Sequence, residues 1–224
     1  VGLDLVLGAA YIHRDLGRII EDVSPDGGRT YVIANPGESP DAGTVKGLQG
    51  QIDDLNKQIA ASGDMARQTE LTKLRDDRTQ QLALYKAGST FEKPKRDYNA
   101  LVLTVSKRLS YNFIVLASYT YSRTIGNYPG LFQASNGQLD PNISSQYDLP
   151  ELLVNRNGPL PSDKPHNFKV TGAYNLPLGE AGTLNFGLNF FLQSGSPIEV
   201  LGRHPTYGSG ESFILPRGSG GRLP

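Results

Sequence analysis

At 224 residues the chain has room for one large domain or two small ones, and its 22 basic and 22 acidic residues cancel. No strong field is left to hold nucleic acid, and the absence of cysteine excludes a disulfide scaffold and Cys-ligated metal sites. No apolar run approaches the ~18 residues of a membrane helix, but a membrane β-barrel, whose strands alternate and give little hydropathy each, stays open.

Cysteine avoidance also suits export through an oxidising periplasm. The chain begins at Val1 directly in a strand-like pattern and closes at Pro224 in a Gly/Pro-rich loop. That is expected of a piece of something longer, with no signal peptide to read.

In chain order, Leu3–Ile12 sets Leu3, Leu5, Leu7, Ala9 and Tyr11 against Asp4, Val6, Gly8, Ala10 and Ile12. A period of two predicts a strand with two chemically different faces. SPDGG then marks a turn between two short β-rich arms. From 41 to 92 the period changes: Val45, Leu48, Ile52, Leu55 and Ile59 follow the spacing of an amphipathic helix. Ser62-Gly63-Asp64 supplies a terminal glycine and an N-cap. A second stripe of Leu71, Leu74, Leu82 and Tyr85 completes an antiparallel helical hairpin, Thr44–Ala61 and Met65–Lys86.

The alternation returns in NALVLTVSKRLSYNFIVLASYTYS, two arms joined by Ser110-Tyr111-Asn112. Leu101, Leu103 and Val105 stand against Thr104 and Ser106. Phe113, Val115, Tyr119 and Tyr121 stand against Ser118, Thr120 and Ser122. A long irregular stretch from Thr124 to Pro165 precedes two further strands, Asn167–Leu176 and Leu184–Gln193, joined by PLGEAG. The end, from Ser194, reads as another long Gly/Pro loop.

Strands of about ten residues joined alternately by tight turns and long loops are the pattern of an outer-membrane barrel. The short SYN and PLGEAG turns share one end, and the longer connections, helices included, share the other. The fold class predicted is therefore all-β: five to six antiparallel strands of a larger transmembrane barrel, with a helical hairpin inserted in an external loop. The divisions are 1–40, 41–92 and 93–224. A soluble β-sandwich or jelly roll also alternates. It fits less well the small uncharged residues of the polar face, the tyrosines at strand ends and loops of roughly forty residues.

The faces give site expectations. Lipid-facing positions are Leu101, Leu103, Val105, Phe168, Val170, Leu184, Phe186, Leu188 and Phe190. Lumen-facing positions are Thr104, Ser106, Asn167, Lys169, Thr171, Asn185, Asn189 and Gln193. Loop residues Tyr128, Asp140, Asp148 and Arg156 are the expected substrate contacts. No catalytic constellation emerges, so no enzyme, cofactor or metal site is expected. His13, His166 and His204 are isolated and read as polar surface groups. GSGGR lacks the strand and helix of a phosphate loop and reads as turns. Asp140, Asn142 and Asp148 lack the spacing of a calcium loop, and the sequon Asn142-Ile143-Ser144 reads as incidental. Lys93, Lys95 and Arg96 are either a rim for lipopolysaccharide phosphates or a solvated basic turn. The helical hairpin is either an external lid or docking element or a tolerated insertion.

At SYTYSRTIGNYPGLF and NGQLDPNISSQYDLPELLVNRNGPLPSDKPHNFKVTGAY the chain resembles the barrel of Oar-type TonB-dependent outer-membrane receptors of proteobacteria. LGRIIEDV, YVIANPGE, RDYNALVLTVSKRLS, LNFFLQSGSPIEVLGRHPTYG and LPRGSGGR fit the same family, leaving 41–92 outside the resemblance. The resemblance implies a roughly 22-stranded barrel with a plug domain and TonB as energy source. It also implies an outer-membrane location, lipid and lipopolysaccharide as surroundings, and a transported substrate of unknown identity. The plug and the TonB-contacting segment are not among these residues. The alternatives are a structural or adhesive outer-membrane barrel and a soluble all-β binding module.

Overall fold

Each stretch of alternation becomes a strand, and each pairs with the next in sequence. The elements are β1 (Leu5–Asp15), β2 (Glu21–Val23), β3 (Val32–Ala34), α1 (Ala42–Ala61), α2 (Met65–Ala87), β4 (Arg96–Ser110) and β5 (Phe113–Gly126). They continue with β6 (Gly158–Pro159), β7 (His166–Pro177), β8 (Thr183–Gln193), β9 (Leu201–His204) and β10 (Gly208–Phe213). This computed structural model describes residues 4–24, 26–132 and 145–224.

The main sheet runs β1-β4-β5-β7-β8, every pair antiparallel, with β6 added to β5. Its five long strands, of 11 to 15 residues, reach or exceed the roughly 9–11 a tilted strand needs to cross the hydrocarbon core. The sheet is open, and among the described residues no second sheet packs on it. The other two sheets are two-stranded hairpins, β2-β3 and β9-β10.

One end of the sheet is closed by tight turns. Tyr111 and Asn112 both take left-handed backbone, φ 51° and 64°, the form of a primed two-residue hairpin whose twist suits the strands. Leu178–Gly182 closes the other hairpin, with Gly179 and Gly182 at positive φ. At the opposite end the connections fold over one another into a cap. There Val23, Phe91, Tyr128, Tyr147 and Leu153 form a buried cluster, flanked by Leu16, Ile19, Val32 and Ala34.

Three details differ from the sequence expectation. The first strand runs to Asp15 rather than Ile12, because its ladder with β4 continues through His13↔Asn99 to Asp15↔Asp97 after the apolar alternation stops. The stretch after Ser194, expected as loop, contains the β9-β10 hairpin. The region from Thr124 holds the end of β5, β6 and two short 3₁₀ turns, Ser145–Tyr147 and Pro150–Leu153.

The helical hairpin forms within two residues of its expected bounds. Asp41 caps α1 by accepting from Thr44 N at 2.7 Å, and Asp64 caps α2 by accepting from Ala66 N at 3.0 Å. Leu48, Ile52 and Leu82 form its seam with Val45 and Tyr85. Leu74 is exposed instead: it sits about 60° round the helix from Leu71, at the edge of the stripe. Gly63 is not a left-handed cap either. The chain leaves α1 through extended backbone at Ser62, and Gln68 Nε2 donates to the Ser62 carbonyl at 2.5 Å.

Candidate functional site

The sheet register decides which side chains share a face, because residues directly opposite point the same way. Leu7↔Val105, Ala9↔Leu103 and Tyr11↔Leu101 continue into Val105↔Ala117, Leu103↔Tyr119 and Leu101↔Tyr121. Ala117↔Val170 and Tyr119↔Phe168 carry the same face to Val170↔Phe190, Gly172↔Leu188, Tyr174↔Phe186 and Leu176↔Leu184. All nine positions expected at lipid therefore lie on one continuous apolar surface. It is uncovered: Leu7 is 70% exposed and Leu188 59%.

Tyr11, Tyr119 and Tyr121 sit toward the loop end of this face, and two of them have hydroxyl partners. Tyr11 donates to Asn99 Oδ1 at 2.6 Å, and Tyr119 Oη lies 2.7 Å from His166 Nδ1. Toward the tight-turn end come Phe113, Tyr174 and Phe186. Lys107 belongs to the apolar face by register, yet it is buried. Its ammonium folds back onto the turn, donating to the Ser110 and Phe113 carbonyls at 2.8 and 3.3 Å and lying 3.8 Å from the Phe113 ring centroid.

The other face carries Thr104 and Ser106 on β4, Asn167, Lys169 and Thr171 on β7, and Asn185, Asn189 and Gln193 on β8. Thr104↔Ser118↔Lys169 and Thr120↔Asn167↔Gln193 make continuous polar rows. Thr171 Oγ1 donates to Asn189 Oδ1 at 3.3 Å. Nearer the tight turns this face becomes apolar, with Val6, Ile114 and Leu116 beside Ser106. At the loop end it gains Arg96 and also Arg14 and Tyr98, two residues that sequence reasoning left unassigned. Arg96 points to the polar face, since it pairs with Gly126 in the even-numbered set. Lys93 and Lys95 stay at the rim, where Lys93 Nζ pairs with Glu38 at 3.2 Å and Lys95 Nζ with Glu92 at 3.8 Å.

The expected substrate contacts lie inside the cap. Tyr128, Asp148 and Arg156 are 4%, 3% and 1% exposed. Tyr128 donates to Glu21 Oε2 at 3.2 Å, tying the segment just after β5 to the β2-β3 hairpin. Burial pushes the Glu21 carboxyl up to about 7 against the lowering effect of that hydrogen bond, and the charges of Asp22 and Asp148 push it further. Asp148 accepts from Tyr31 Oη at 3.1 Å, and burial raises it as well. Arg156 donates to the Leu152 carbonyl, to Gln146 Oε1 at 3.3 Å and to the Glu211 carbonyl at 2.9 Å, with its guanidinium 5.2 Å from the Phe213 ring centroid. Burial lowers its pKa to about 10, so it stays charged at neutral pH.

Two further buried charges complete the cap. Arg217 pairs with Glu199 at 3.3 Å. Asp163, fully buried, accepts from Thr124 N at 2.6 Å and is ion-paired with Arg222 and Arg123. These side chains join loop to loop. They escape sequence reasoning because a buried, paired Arg or Asp looks like a surface residue until its distant partner is known. Asp140, Asn142 and the sequon lie outside the described residues. Among the described residues no group of three or more potential metal ligands is gathered. His204 is buried, its Nδ1 accepting from Thr206 N at 3.2 Å, whereas a surface position was expected. His13 and His166 occupy strand ends on the apolar face. GSGGR forms turns, with Gly218 and Gly221 at positive φ.

An open antiparallel sheet with one bare apolar face, one polar face, tight turns at one end and a folded loop cap at the other defines a segment of a membrane β-barrel. The chain belongs to the outer membrane beta barrel domain family, whose model matches residues 44–218. It is similar to the TonB-dependent transporter Oar of Myxococcus xanthus, at 36% identity over 218 residues. That match covers 97% of this chain and 16% of the relative's length. The helical hairpin therefore lies inside the matched region, not outside it as the quoted segments implied. No solved structure matches. The protein is located in the bacterial outer membrane.

Proposed function

We propose that this chain is part of a TonB-dependent outer-membrane transporter. Its apolar face meets lipid, its polar face lines the lumen, and its cap, with the helical hairpin, lies outside the cell. Substrate is bound among the external loops and moves along the polar wall once TonB displaces a plug carried elsewhere in the protein. Tyr128, Asp148 and Arg156 then shape the external loops from within, through the hydrogen bonds described above. The observation that carries this reading is the apolar face. From the Tyr121 row to the Leu176–Leu184 row it spans five two-residue steps, roughly 34 Å along the strands. A tilt of about 40° reduces that to roughly 26 Å, close to the ≈25 Å apolar band of outer-membrane barrels.

The test uses energy dependence. A cysteine at Thr120, on the polar face, is probed in the full-length receptor on intact cells with a membrane-impermeant maleimide. If a plug is displaced, labelling is faster in energised cells than after an uncoupler has collapsed the proton-motive force. Equal rates favour a structural or adhesive barrel. Labelling no faster after the outer membrane is broken than in a detergent-free soluble extract would favour a soluble module.

A further inference from the structure

The loop end of the polar face departs from the rest of that wall in charge. Two clefts lie side by side there, of about 410 and 300 Å³, and Tyr98 and Ser162 line both. Arg14 and Arg96 line the first, Lys164 and Lys169 the second. Asp15, at the rim of the first cleft, is the one carboxylate side chain among the described lining residues; the second has none. The nearby Asp163 is turned inward and already neutralised by Arg222. Four cations against one carboxylate stand out in a chain whose charges cancel overall.

None of the four cations has an ion-pair partner among the described residues. Arg14 lies with its guanidinium 6.0 Å from the Tyr98 ring centroid, Lys169 with its ammonium 5.6 Å from that of Phe191, and Lys164 donates to Gln193 Oε1 at 3.0 Å. These three are held by neutral neighbours that leave their charges uncompensated. Between them stand the hydroxyls of Ser118 and Thr120 and the amide of Asn167, groups that bond to an oxyanion without repelling it.

The spacing sets the shape of the ligand. Arg14 pairs with Tyr98, and Lys169 belongs to the row of Ser118 and Thr104, six residues further along. That is ~20 Å along the strands and about three strand spacings, ~14 Å, across them. A single small anion cannot bridge such a span. From this juxtaposition of four unpaired cations along a carboxylate-poor polar wall, we infer that the loop end of the wall is a binding track for an extended polyanion, a solute bearing several carboxylate or phosphate groups. Arg14 and Arg96 take its outer groups by bidentate contacts. Lys164 and Lys169 draw its leading end toward the lumen, and low-dielectric walls focus the field. This rests on the reading of the polar face as the lumen wall.

The experiment uses the full-length receptor in lipid nanodiscs, with fluorescein-labelled hexaglutamate as the anisotropy probe, unlabelled tripolyphosphate as competitor and labelled hexalysine as control. Hexaglutamate is expected to bind with an affinity that falls as NaCl rises from 50 to 300 mM. The pairs Arg14→Gln/Arg96→Gln and Lys164→Gln/Lys169→Gln should each weaken it roughly tenfold or more, while Lys57→Gln/Lys73→Gln on the helices leaves it unchanged. Displacement by tripolyphosphate extends the ligand class to phosphates, and its failure with hexaglutamate still bound restricts the class to carboxylates. Binding of tripolyphosphate alone, measured by calorimetry and lost in the same variants, restricts it to phosphates. Binding of neither anion, equal binding of hexalysine, or indifference to both double variants overturns the proposal. Quenching by bilayer spin labels of fluorophores at Leu103 and Thr104 is read in the same preparation. Strong quenching at 103 alone beside failed anion binding refutes the track but keeps the lumen wall; strong quenching at 104 refutes the wall itself.

Discussion

Val170 offers the sharpest test of which face meets lipid. On β7 the apolar face runs from His166 to Leu176, and Val170 lies near its middle, opposite Ala117 and Phe190. Arg at the bilayer midplane of a barrel's lipid face costs ~2–4 kcal/mol, so Val170→Arg should destabilise the full-length receptor by about that much. Thr171 is adjacent but on the polar face, where its hydroxyl bonds Asn189. Thr171→Arg loses that exposed hydrogen bond, about 0.5–1 kcal/mol, and leaves the guanidinium in water. Val170→Ala separates lipid from a protein core: acyl chains fill the space of the lost methyls, whereas a packed core would keep a cavity and lose ~1 kcal/mol or more. The assay is guanidinium-dependent unfolding of the receptor folded into phospholipid vesicles, read by tryptic protection of the barrel. Equal costs for Val170→Arg and Thr171→Arg, or a larger cost at 171, would refute the assignment of faces. So would a Val170→Ala cost typical of a packed core.

Other consequences concern the cap. A cysteine at Ser62, in the turn between α1 and α2, should react with an impermeant maleimide on intact cells; labelling only after the outer membrane is broken would invert the topology. Asp163→Ala strips the partner from Arg222 and Arg123 and the acceptor from Thr124 N, and should cost the cap ~3–5 kcal/mol as for a broken buried pair. Limited proteolysis of the 145–224 region, with an unchanged cleavage rate as the contrary result, checks this. Glu21, with its carboxyl raised to about 7, keeps its proton in the folded cap while the unfolded chain loses it near 4.5. Cap stability should therefore fall as pH rises from about 4.5 to 7 and level off above, by up to roughly 2–3 kcal/mol. Glu21→Gln should flatten that dependence in hydrogen exchange of the β2-β3 amides, and an unchanged slope would remove Glu21 as its source.

The two-faced strands were legible in the sequence because a residue's face depends only on its parity along the strand. Leu101, Leu103 and Val105 against Thr104 and Ser106 need no knowledge of their neighbours. The turn-and-loop asymmetry and the helix cap at Asp64 are local for the same reason. The cap was not legible, because its partners are far apart in sequence. Glu21 meets Tyr128, Arg156 meets Glu211 and Asp163 meets Arg222 across 55 to 107 residues. No periodicity records such pairings, and polar residues that a loop would show to water become its interior once the loops fold on one another. The charge of the wall's loop end has the same origin. Arg14, Arg96, Lys164 and Lys169 come from three separate stretches of chain, and only the strand register sets them along one track.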